Sequence, residues 1–267
     1  MNVAAALAEA RAAIPLGEAR LLLGHVLGVS HAALAAHPER KVGLPETAAF
    51  RALAARRAAG EPIAYLTGRR EFHGLAFQVT PAVLIPREET ELLVDIALEA
   101  KAARVLDLGT GSGCLAVAVA KALPQAQVTA VDASAAALAV ARGNAARHGV
   151  SVRFLLGDWF APLAGERFGL ILANPPYVAE ADPHLAQGDL RFEPRAALAA
   201  GPAGLDDIRR IVAAAPGHLA PGGWLWLEHG FDQAAAVAGL LAEAGFLDIG
   251  QRPDLAGILR VSGGRRA

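Results

Sequence analysis

From residue 104 onward, the chain alternates between short apolar runs and longer segments whose apolar residues recur every three or four positions. The short runs predict β-strands at residues 104–108, 127–131, 152–156, 170–173 and 224–228. The longer segments predict helices at residues 115–123, 135–148, 206–219 and 233–244. Repeated strand–helix units indicate an α/β fold with a parallel sheet and helices on both faces. Two closing strands, at residues 246–250 and 257–261, have no helix between them and predict an antiparallel pair.

The first 60 residues follow a different pattern. Apolar positions at helical spacing predict short helices at residues 3–14, 19–27, 31–36 and 47–59. Proline and glycine interrupt the pattern between these segments, and Ser30 is suited to cap the third helix at its N-terminus. No catalytic type of side-chain cluster occurs in this region, which we interpret as a small helical domain.

Between the two regions, apolar residues recur at every second position. A turn at Gly74 and the alternating residues around it predict a β-hairpin, followed by the apolar residues 83–85. Residues 89–100 predict a helix that begins with acidic side chains. The predicted organisation is therefore a helical domain over residues 1–70, a hairpin linker over residues 71–87 and a main domain over residues 88–267.

Composition and charge limit the possible classes of protein. The apolar runs are shorter than the roughly 20 residues of a membrane-spanning helix, and we expect neither a membrane segment nor a signal peptide. The single cysteine, Cys114, fits a reducing cytoplasm, and the scattered histidines predict no metal site. The net charge of −1 argues against a stable nucleic-acid complex along the whole surface. Residues 1–75 carry +3, so this part either contacts an RNA-rich partner or has an ordinary solvated surface.

A glycine-rich loop follows the first predicted strand of the main domain. Gly109, Gly111 and Gly113 occupy alternate positions after Asp107, and a helix follows them. Glycine lets the backbone turn sharply and approach a ligand closely. A dinucleotide-binding loop with these glycines would need a further glycine at position 114, where this chain has Cys114. The spacing therefore argues against a dehydrogenase. The spacing resembles the loop that holds S-adenosylmethionine, and we expect Asp107 near the amino-acid end of that cofactor.

Acidic residues also lie at the ends of the next two predicted strands. Asp132 can accept hydrogen bonds from both ribose hydroxyls, and Asp158 with Trp159 is suited to the adenine edge and ring. Ligands in such folds bind at the carboxyl ends of strands, so these signals predict one site. The predicted cofactor-binding residues are Asp107, Gly109, Thr110, Gly111, Ser112, Gly113, Asp132, Asp158, Trp159 and Asn174.

The fourth predicted strand is followed by the tetrapeptide Asn174-Pro175-Pro176-Tyr177. An amide or nucleobase NH2 attacks a sulfonium methyl group poorly, because its lone pair is delocalised into a π system. Fixed acceptors for its N–H groups orient the nitrogen and localise that lone pair. The Asn174 side-chain oxygen and the Pro175 carbonyl are such acceptors, the prolines stiffen the backbone, and the Tyr177 ring can pack on the planar group. We therefore predict that Asn174, Pro175 and Tyr177 are catalytic and that all four residues bind substrate.

Several stretches resemble the bacterial release factor glutamine methyltransferases. The tetrapeptide itself is similar to those of methyltransferases that act on planar nitrogen in DNA, RNA or protein. The stretches closer to this one family are EPIAYLTG at residues 61–68, EFHGLAFQVTPAVLIPR at 71–87, VLDLGTGSGC at 105–114, GDWF at 157–160, RFEPR at 191–195, GLDDIRRI at 204–211 and LAGILRV at 255–261. The resemblance covers residues 60–262, whereas the helical N-terminal part matches in size and character alone.

The resemblance implies a class I S-adenosylmethionine-dependent methyltransferase, with a Rossmann-like seven-stranded sheet whose last strand is antiparallel. It implies methyl transfer to the glutamine amide in the Gly-Gly-Gln motif of class I peptide chain release factors, which modulates translation termination and leaves S-adenosylhomocysteine. It also implies that the helical domain recognises the substrate. We expect a cytoplasmic monomer.

Two positions depart from the family pattern. The family usually has proline where this chain has Glu88, and an acidic-Ile-Gly run where it has Glu228-His229-Gly230. We expect neither position to touch the methyl-transfer centre. Arg87 and Glu89 either shape the substrate opening or pair with each other, and residues 191–195 form either a lid or a plain surface loop.

Two other functions compete with a protein glutamine methyltransferase. One is a nucleic-acid methyltransferase acting on adenine or guanine, which the net charge and the lack of a basic target-recognition domain disfavour. The other is a catalytically idle scaffold, which the intact glycines, Asp132 and tetrapeptide disfavour.

Overall fold

Five helices form the N-terminal part in the computed structural model, which describes residues 1–267. They are α1 (Val3–Ala10), α2 (Leu16–Leu27), α3 (His31–Ala36), α4 (Leu44–Ala58) and α5 (Ile63–Thr67). Their apolar faces meet in a core around Leu22, Leu23 and Phe50, all almost fully buried. The predicted cap is confirmed, because the Ser30 hydroxyl accepts a hydrogen bond from the Ala33 N–H at 3.2 Å. Helix α5 was not predicted, because five residues are too few to show a helical period.

The helical unit includes a short segment from much later in the chain. It comprises Met1–Arg69 together with Gly188–Phe192. Arg57 is the link, since its guanidinium pairs with Glu18 on α2 and with Asp189 in the later segment, each at 2.8 Å. Arg191 also donates a hydrogen bond to the Ala59 carbonyl. The second unit comprises Arg70–Gln187 and Glu193–Ala267.

A two-stranded sheet and a helix precede the main sheet. Strands β1 (Arg69–Phe72) and β2 (Leu75–Gln78) form the predicted hairpin. Residues 83–85 are irregular chain and belong to neither sheet. The predicted helix at 89–100 begins as a 3-10 turn, Glu88–Thr90, and continues as α6 (Glu91–Ala100).

The rest of the chain alternates strands and helices. The elements are β3 (Arg104–Leu108), α7 (Cys114–Ala122), β4 (Gln127–Asp132), α8 (Ala135–His148), β5 (Arg153–Leu156), β6 (Phe168–Ala173), α9 (Asp206–His218), β7 (Leu219–Glu228), α10 (Ala234–Glu243), β8 (Leu247–Pro253) and β9 (Leu259–Arg265). They form one seven-stranded sheet in the order β5-β4-β3-β6-β7-β9-β8. Strand pairs from β5 to β7 are parallel, and β9 is antiparallel to both neighbours. The predicted α/β fold with an antiparallel last strand is confirmed.

The central strand β6 shows why the sheet is covered on both faces. Side chains alternate across a strand, and here both sets are buried. Leu170 and Leu172 pack in the cluster that contains α7, whereas Ile171 and Ala173 pack in the cluster that contains α9. Because β3, β4, β6 and β7 run parallel, their carboxyl ends lie at one edge of the sheet. None of the helices combines the length and apolar character needed to cross a bilayer.

Candidate active site

A cavity of about 450 Å³ lies at the carboxyl ends of β3, β4 and β6. It brings together seven residues that the sequence predicted for the site, which are Gly109, Gly111, Asp132, Asp158, Trp159, Asn174 and Pro176. Its wall also contains residues that the sequence analysis did not assign, among them Leu84, Ser134, Pro194, Asp207 and Arg210. A separate surface cavity at the amino-terminal ends of β3, β4 and β5 contains none of the predicted residues.

The glycine loop takes its shape from left-handed backbone and close packing. Gly109 has φ +72°, and a Cβ built there would lie 3.2 Å from the Trp159 ring. Gly113 has φ +79°, and a Cβ there would lie 2.9 Å from the Ala141 Cβ on α8. Side chains rarely adopt this backbone region, so both glycines are required by conformation and by space. The loop is thereby held against α8 and against the indole.

Asp107 is buried and does not line the cavity. Its Oδ2 accepts a hydrogen bond from the Thr110 hydroxyl at 2.6 Å, and burial raises the pKa of its carboxyl to about 7. Thr110, Ser112 and Gly113 are also buried and also lie outside the cavity wall. Of the predicted cofactor residues in this loop, these four support its conformation, whereas Gly109 and Gly111 face the cavity.

Asp132 at the end of β4 holds the loop from the other side. Its Oδ2 accepts a hydrogen bond from the Gly111 N–H and its Oδ1 accepts one from the Ser134 N–H, both at 2.8 Å. Each carboxylate oxygen has a further lone pair, so both can still accept a ligand hydroxyl. The carboxylate is fixed in direction before any ligand binds.

Trp159 and Asp158 are fixed by α9. The Trp159 indole N–H donates to Asp207 Oδ1 at 3.1 Å, and Trp159 itself has a left-handed φ of 46°. Asp158 pairs with Arg210, which also pairs with Asp207. Neither Asp207 nor Arg210 was assigned a role from the sequence, although both lie near the start of the helix predicted at residues 206–219.

The tetrapeptide lies directly beside the glycine loop. Asn174 and Pro176 line the cavity, while Pro175 and Tyr177 are not part of its wall. The Asn174 Nδ2 donates to the Thr90 hydroxyl at 2.9 Å, so its Oδ1 is turned away from Thr90. The Tyr177 carbonyl accepts from Gln233 Nε2 at 3.0 Å, which fixes the end of the tetrapeptide.

A buried carboxyl group, Glu228 at the end of β7, lies behind the tetrapeptide. It accepts hydrogen bonds from the Thr90 hydroxyl at 2.6 Å and from the Tyr177 hydroxyl at 3.1 Å. Burial raises the pKa of Glu228 to about 7, opposed by these two hydrogen bonds. Glu228 does not line the cavity, but it contacts the tetrapeptide directly at Tyr177 and indirectly, through Thr90, at Asn174. The available signal was its place at a strand end on the same edge as Asp132.

His229 and Glu88, the other positions that depart from the family pattern, make contacts that support the fold. His229 is fully buried, its Nε2 lies 2.8 Å from the Ser262 hydroxyl, and burial lowers its pKa. Glu88 is exposed and pairs with Arg70 at 3.2 Å. These contacts explain how a histidine and a glutamate are accommodated at these two positions.

Arg87 pairs with Glu193, not with Glu89. The Arg87 guanidinium lies 2.5 Å from Glu193 Oε1, and Glu193 Oε2 accepts from the Ile85 N–H at 2.9 Å. Glu193 is buried, so this pair fastens residues 193–195 to the segment after the hairpin. Pro194 then lines the cavity. This part of the RFEPR stretch is an anchored wall of the site.

The chain matches the model of the PrmC N-terminal domain over residues 2–68 and that of the methyltransferase small domain over residues 88–191. It is 58% identical over 256 residues to the release factor glutamine methyltransferase of Bordetella pertussis, covering 94% of this chain and 95% of that protein. It is 55% identical over 271 residues to that of Burkholderia pseudomallei, covering 97% and 95%.

A solved structure of a methyltransferase from Pyrococcus furiosus shares the fold. The TM-score is 0.57 at 19% identity, and the match covers 80% of this chain and 97% of that one. The identity of more than half of the aligned positions to the two curated relatives, over nearly the whole length of each, carries the assignment further. The chain is a methyltransferase and belongs to the release factor glutamine methyltransferase family.

Proposed function

We propose that this protein transfers a methyl group from S-adenosylmethionine to the side-chain amide nitrogen of the glutamine in the Gly-Gly-Gln motif of a class I release factor. The observation that carries the proposal is the direction of the Asn174 side chain. Its Nδ2 is used by Thr90, which leaves Oδ1 as the acceptor beside the glycine-loop cavity. An acceptor in that place suits an NH2 substrate and repels none of its N–H groups.

The cavity has the donor set and the space for that cofactor. A Cβ at Gly109 would crowd the Trp159 ring, so the indole packs directly on the loop, and the part of Trp159 that lines the cavity offers a surface for a flat ring system. Asp132 has lone pairs for ribose hydroxyls, and Asp158 lies beside Trp159 at the same wall. When bound, the cofactor supplies an electrophilic methyl group. We assign Gly109, Gly111, Asp132, Trp159 and Asn174 as its direct contacts.

The tetrapeptide orients the nitrogen. Asn174 Oδ1 accepts one amide N–H, which turns the nitrogen lone pair out of conjugation with the carbonyl. The second acceptor is the Pro175 carbonyl, held by two prolines, and the Tyr177 ring supports the planar amide. The N–C bond forms as the carbon–sulfur bond breaks, and the nitrogen then loses a proton to water. Positioning, without a strong base, accounts for the reaction.

Residues 1–70 are proposed to recognise the release factor. The similarity to both relatives over 95% of their lengths supports a common substrate, because the helical part is included in the match. Release factors act on ribosomes, so the proposed activity is cytoplasmic, and we expect a monomer that needs no second copy to complete the cavity.

The test is transfer of labelled methyl groups from S-adenosylmethionine to a purified release factor, with duplex DNA as the alternative substrate. We expect label in the release factor and none after Gln→Glu replacement in its Gly-Gly-Gln motif. Label in DNA but not in the release factor would overturn the proposal in favour of a nucleic-acid methyltransferase.

A further inference from the structure

One buried side chain is connected to both functional ends of the tetrapeptide. Glu228 ends β7, which lies beside the strand that leads into Asn174. Its Oε2 accepts from the Thr90 hydroxyl at 2.6 Å, and that hydroxyl accepts from the Asn174 Nδ2 at 2.9 Å. Its Oε1 accepts from the Tyr177 hydroxyl at 3.1 Å. The hydrogen-bonded chain from Asn174 to Tyr177 therefore runs through a single carboxyl group.

We propose that Glu228, as a carboxylate, is a positioning residue that fixes the orientation of the Asn174 side chain and of the Tyr177 ring for methyl transfer. The inference rests on the proposed function, because this orientation matters for an NH2 acceptor. Glu228 is 1% exposed and does not line the cavity. It acts through Thr90 and Tyr177 and touches neither substrate nor cofactor.

The direction of the hydrogen bonds carries the first half of the inference. The Thr90 hydroxyl has a single proton, which it donates to Glu228 Oε2. Its lone pairs are then left to accept from Asn174, and an asparagine that donates to Thr90 must present its Oδ1 on the other side. Through two successive hydrogen bonds, the negative carboxylate of Glu228 thus determines that the Asn174 oxygen, an acceptor, faces the substrate nitrogen.

Protonation of the carboxyl would reverse that chain. A proton on Oε2 is donated to Thr90, and the Thr90 proton is then free to be donated to Asn174. Asn174 would turn its Oδ1 to Thr90 and present its NH2 to the cavity. Two NH2 groups would then face each other, and the acceptor needed to localise the substrate lone pair would be lost.

Tyr177 carries the second half. Burial, followed by the nearby Glu228 charge, raises the pKa of Tyr177 above its usual range, so its hydroxyl remains a donor. The backbone on the other side of this residue is held by Gln233, and Gly204 approaches so closely that a Cβ there would clash with the Tyr177 carbonyl. With both ends fixed, the ring has one position.

The carboxyl group is balanced between its two states near neutral pH. Burial raises the pKa of Glu228 to about 7, Glu89 contributes in the same direction, and Arg260 opposes it. The carboxylate form therefore increases as the pH rises through about 7, and methyl transfer should rise with it. The neutral hydroxyls of Thr90 and Tyr177 donate to it, Glu89 and Arg260 are the charged groups that act on it, and the buried thiol of Cys114 also interacts with it electrostatically.

The experiment compares Glu228→Gln, Thr90→Val and the matched control Glu88→Gln in the full-length protein. Glutamine keeps the shape of Glu228 but accepts one hydrogen bond where the carboxylate accepts two. We expect kcat to fall roughly 10- to 100-fold for Glu228→Gln, less than for loss of a directly contacting group. KM for the release factor and the affinity for S-adenosylmethionine should stay within about 3-fold. Glu88 is 85% exposed, and its replacement should change neither parameter.

Two further readouts separate positioning from a merely structural role. The acidic limb of the kcat profile, centred near pH 7, should disappear in Glu228→Gln. Thr90→Val should lower kcat similarly, Thr90→Ser should restore it, and the double variant should be no worse than the single ones, because both changes break the same chain. If Glu228→Gln weakened cofactor binding as many fold as it lowered kcat and also lowered the thermal unfolding midpoint, the role of Glu228 would be structural and the proposal would be overturned. A wild-type kcat with an unchanged acidic limb in Glu228→Gln would overturn it as well.

A substrate-independent measurement keeps the inference testable if the wild type fails to label a release factor, an outcome that would count against the proposed function alone. The side-chain NH2 signal of Asn174, assigned by its loss in Asn174→Ala, is followed by NMR across neutral pH. We expect it to shift with a midpoint near 7 in the wild type and to be independent of pH in Glu228→Gln. A signal that does not respond to either change would overturn the positioning role.

Discussion

Replacing Gly109 by alanine measures how closely the cofactor loop packs against Trp159. Gly109 has φ +72°, and the new Cβ would lie 3.2 Å from one Trp159 ring atom and 3.4 Å from another. The left-handed backbone costs an alanine about 1–2 kcal/mol. The indole cannot move freely, because its N–H is bonded to Asp207. Crowding of this kind adds about 1–2 kcal/mol, at the lower end of overpacking costs.

Two other glycines separate these contributions. Gly111 has φ +55° with open space around its Cβ position, so Gly111→Ala should lose about 1–2 kcal/mol for the backbone alone. Gly143 lies within α8 in open space, and Gly143→Ala should gain about 0.5–1 kcal/mol from helix propensity. We therefore expect the loss in free energy of unfolding for Gly109→Ala to be about 2–4 kcal/mol.

The assay is urea unfolding of the cofactor-free protein, followed by tryptophan fluorescence and circular dichroism. The order of stability should be Gly143→Ala, wild type, Gly111→Ala and then Gly109→Ala. If Gly109→Ala and Gly111→Ala lose the same free energy, the indole does not pack on the loop, and this support for the cofactor assignment is refuted.

Three further predictions follow from the same site. Asn174→Ala should lower kcat at least about 100-fold but weaken the calorimetric Kd for S-adenosylmethionine less than about 10-fold, because the lost acceptor acts on the substrate nitrogen while the cofactor keeps its other contacts; an equal loss of binding would contradict that role. Asp132→Asn should weaken cofactor binding about 10- to 100-fold in the same titration, as expected for a charged hydrogen-bond acceptor, and an unchanged Kd would remove Asp132 from the cofactor site. Burial raises the pKa of Asp107 to about 7, above about 3.9 in an unfolded chain, so the stability linked to its proton is present below pH 4 and is lost as the pH rises to about 7. Asp107→Asn should consequently become more stable relative to the wild type as the pH rises, which urea unfolding at acidic and alkaline pH measures. A stability difference that does not change with pH would show that the carboxyl of Asp107 has an ordinary pKa in the folded protein.

The elements with clear chemical boundaries were the ones that sequence predicted well. Helix α8 was predicted with its observed ends, because Ser134 caps its start through the Ala137 N–H at 3.1 Å and Gly149 ends it with a left-handed φ of 66°. Strand β6 was recognisable because both of its faces are apolar. Residues 83–85 have similar apolar character, but whether such a run becomes a strand depends on a partner strand, which the local sequence does not specify.

The site was predictable where one residue marks a strand end. Asp132, Trp159 and Asn174 follow successive strands, and parallel topology brings them to one cavity. The supporting contacts were not predictable in this way. Thr90 and Glu228 are 138 positions apart, and neither belongs to a motif with the other. Asp107 illustrates the same limit, since its position at a strand end can be read from the sequence, but its burial and its hydrogen bond to Thr110 cannot.

The late segment of the helical unit has a consequence for how the chain is made. During synthesis, residues 1–69 leave the ribosome long before Gly188–Phe192, yet Arg57 reaches its partner Asp189 only when that later piece arrives. The first unit to emerge is therefore not the first to be finished. Its last contacts form after most of the sheet strands exist, so a fragment ending at residue 70 would lack part of its own structure, and Gly188–Phe192 is the piece that would have to be supplied to complete it.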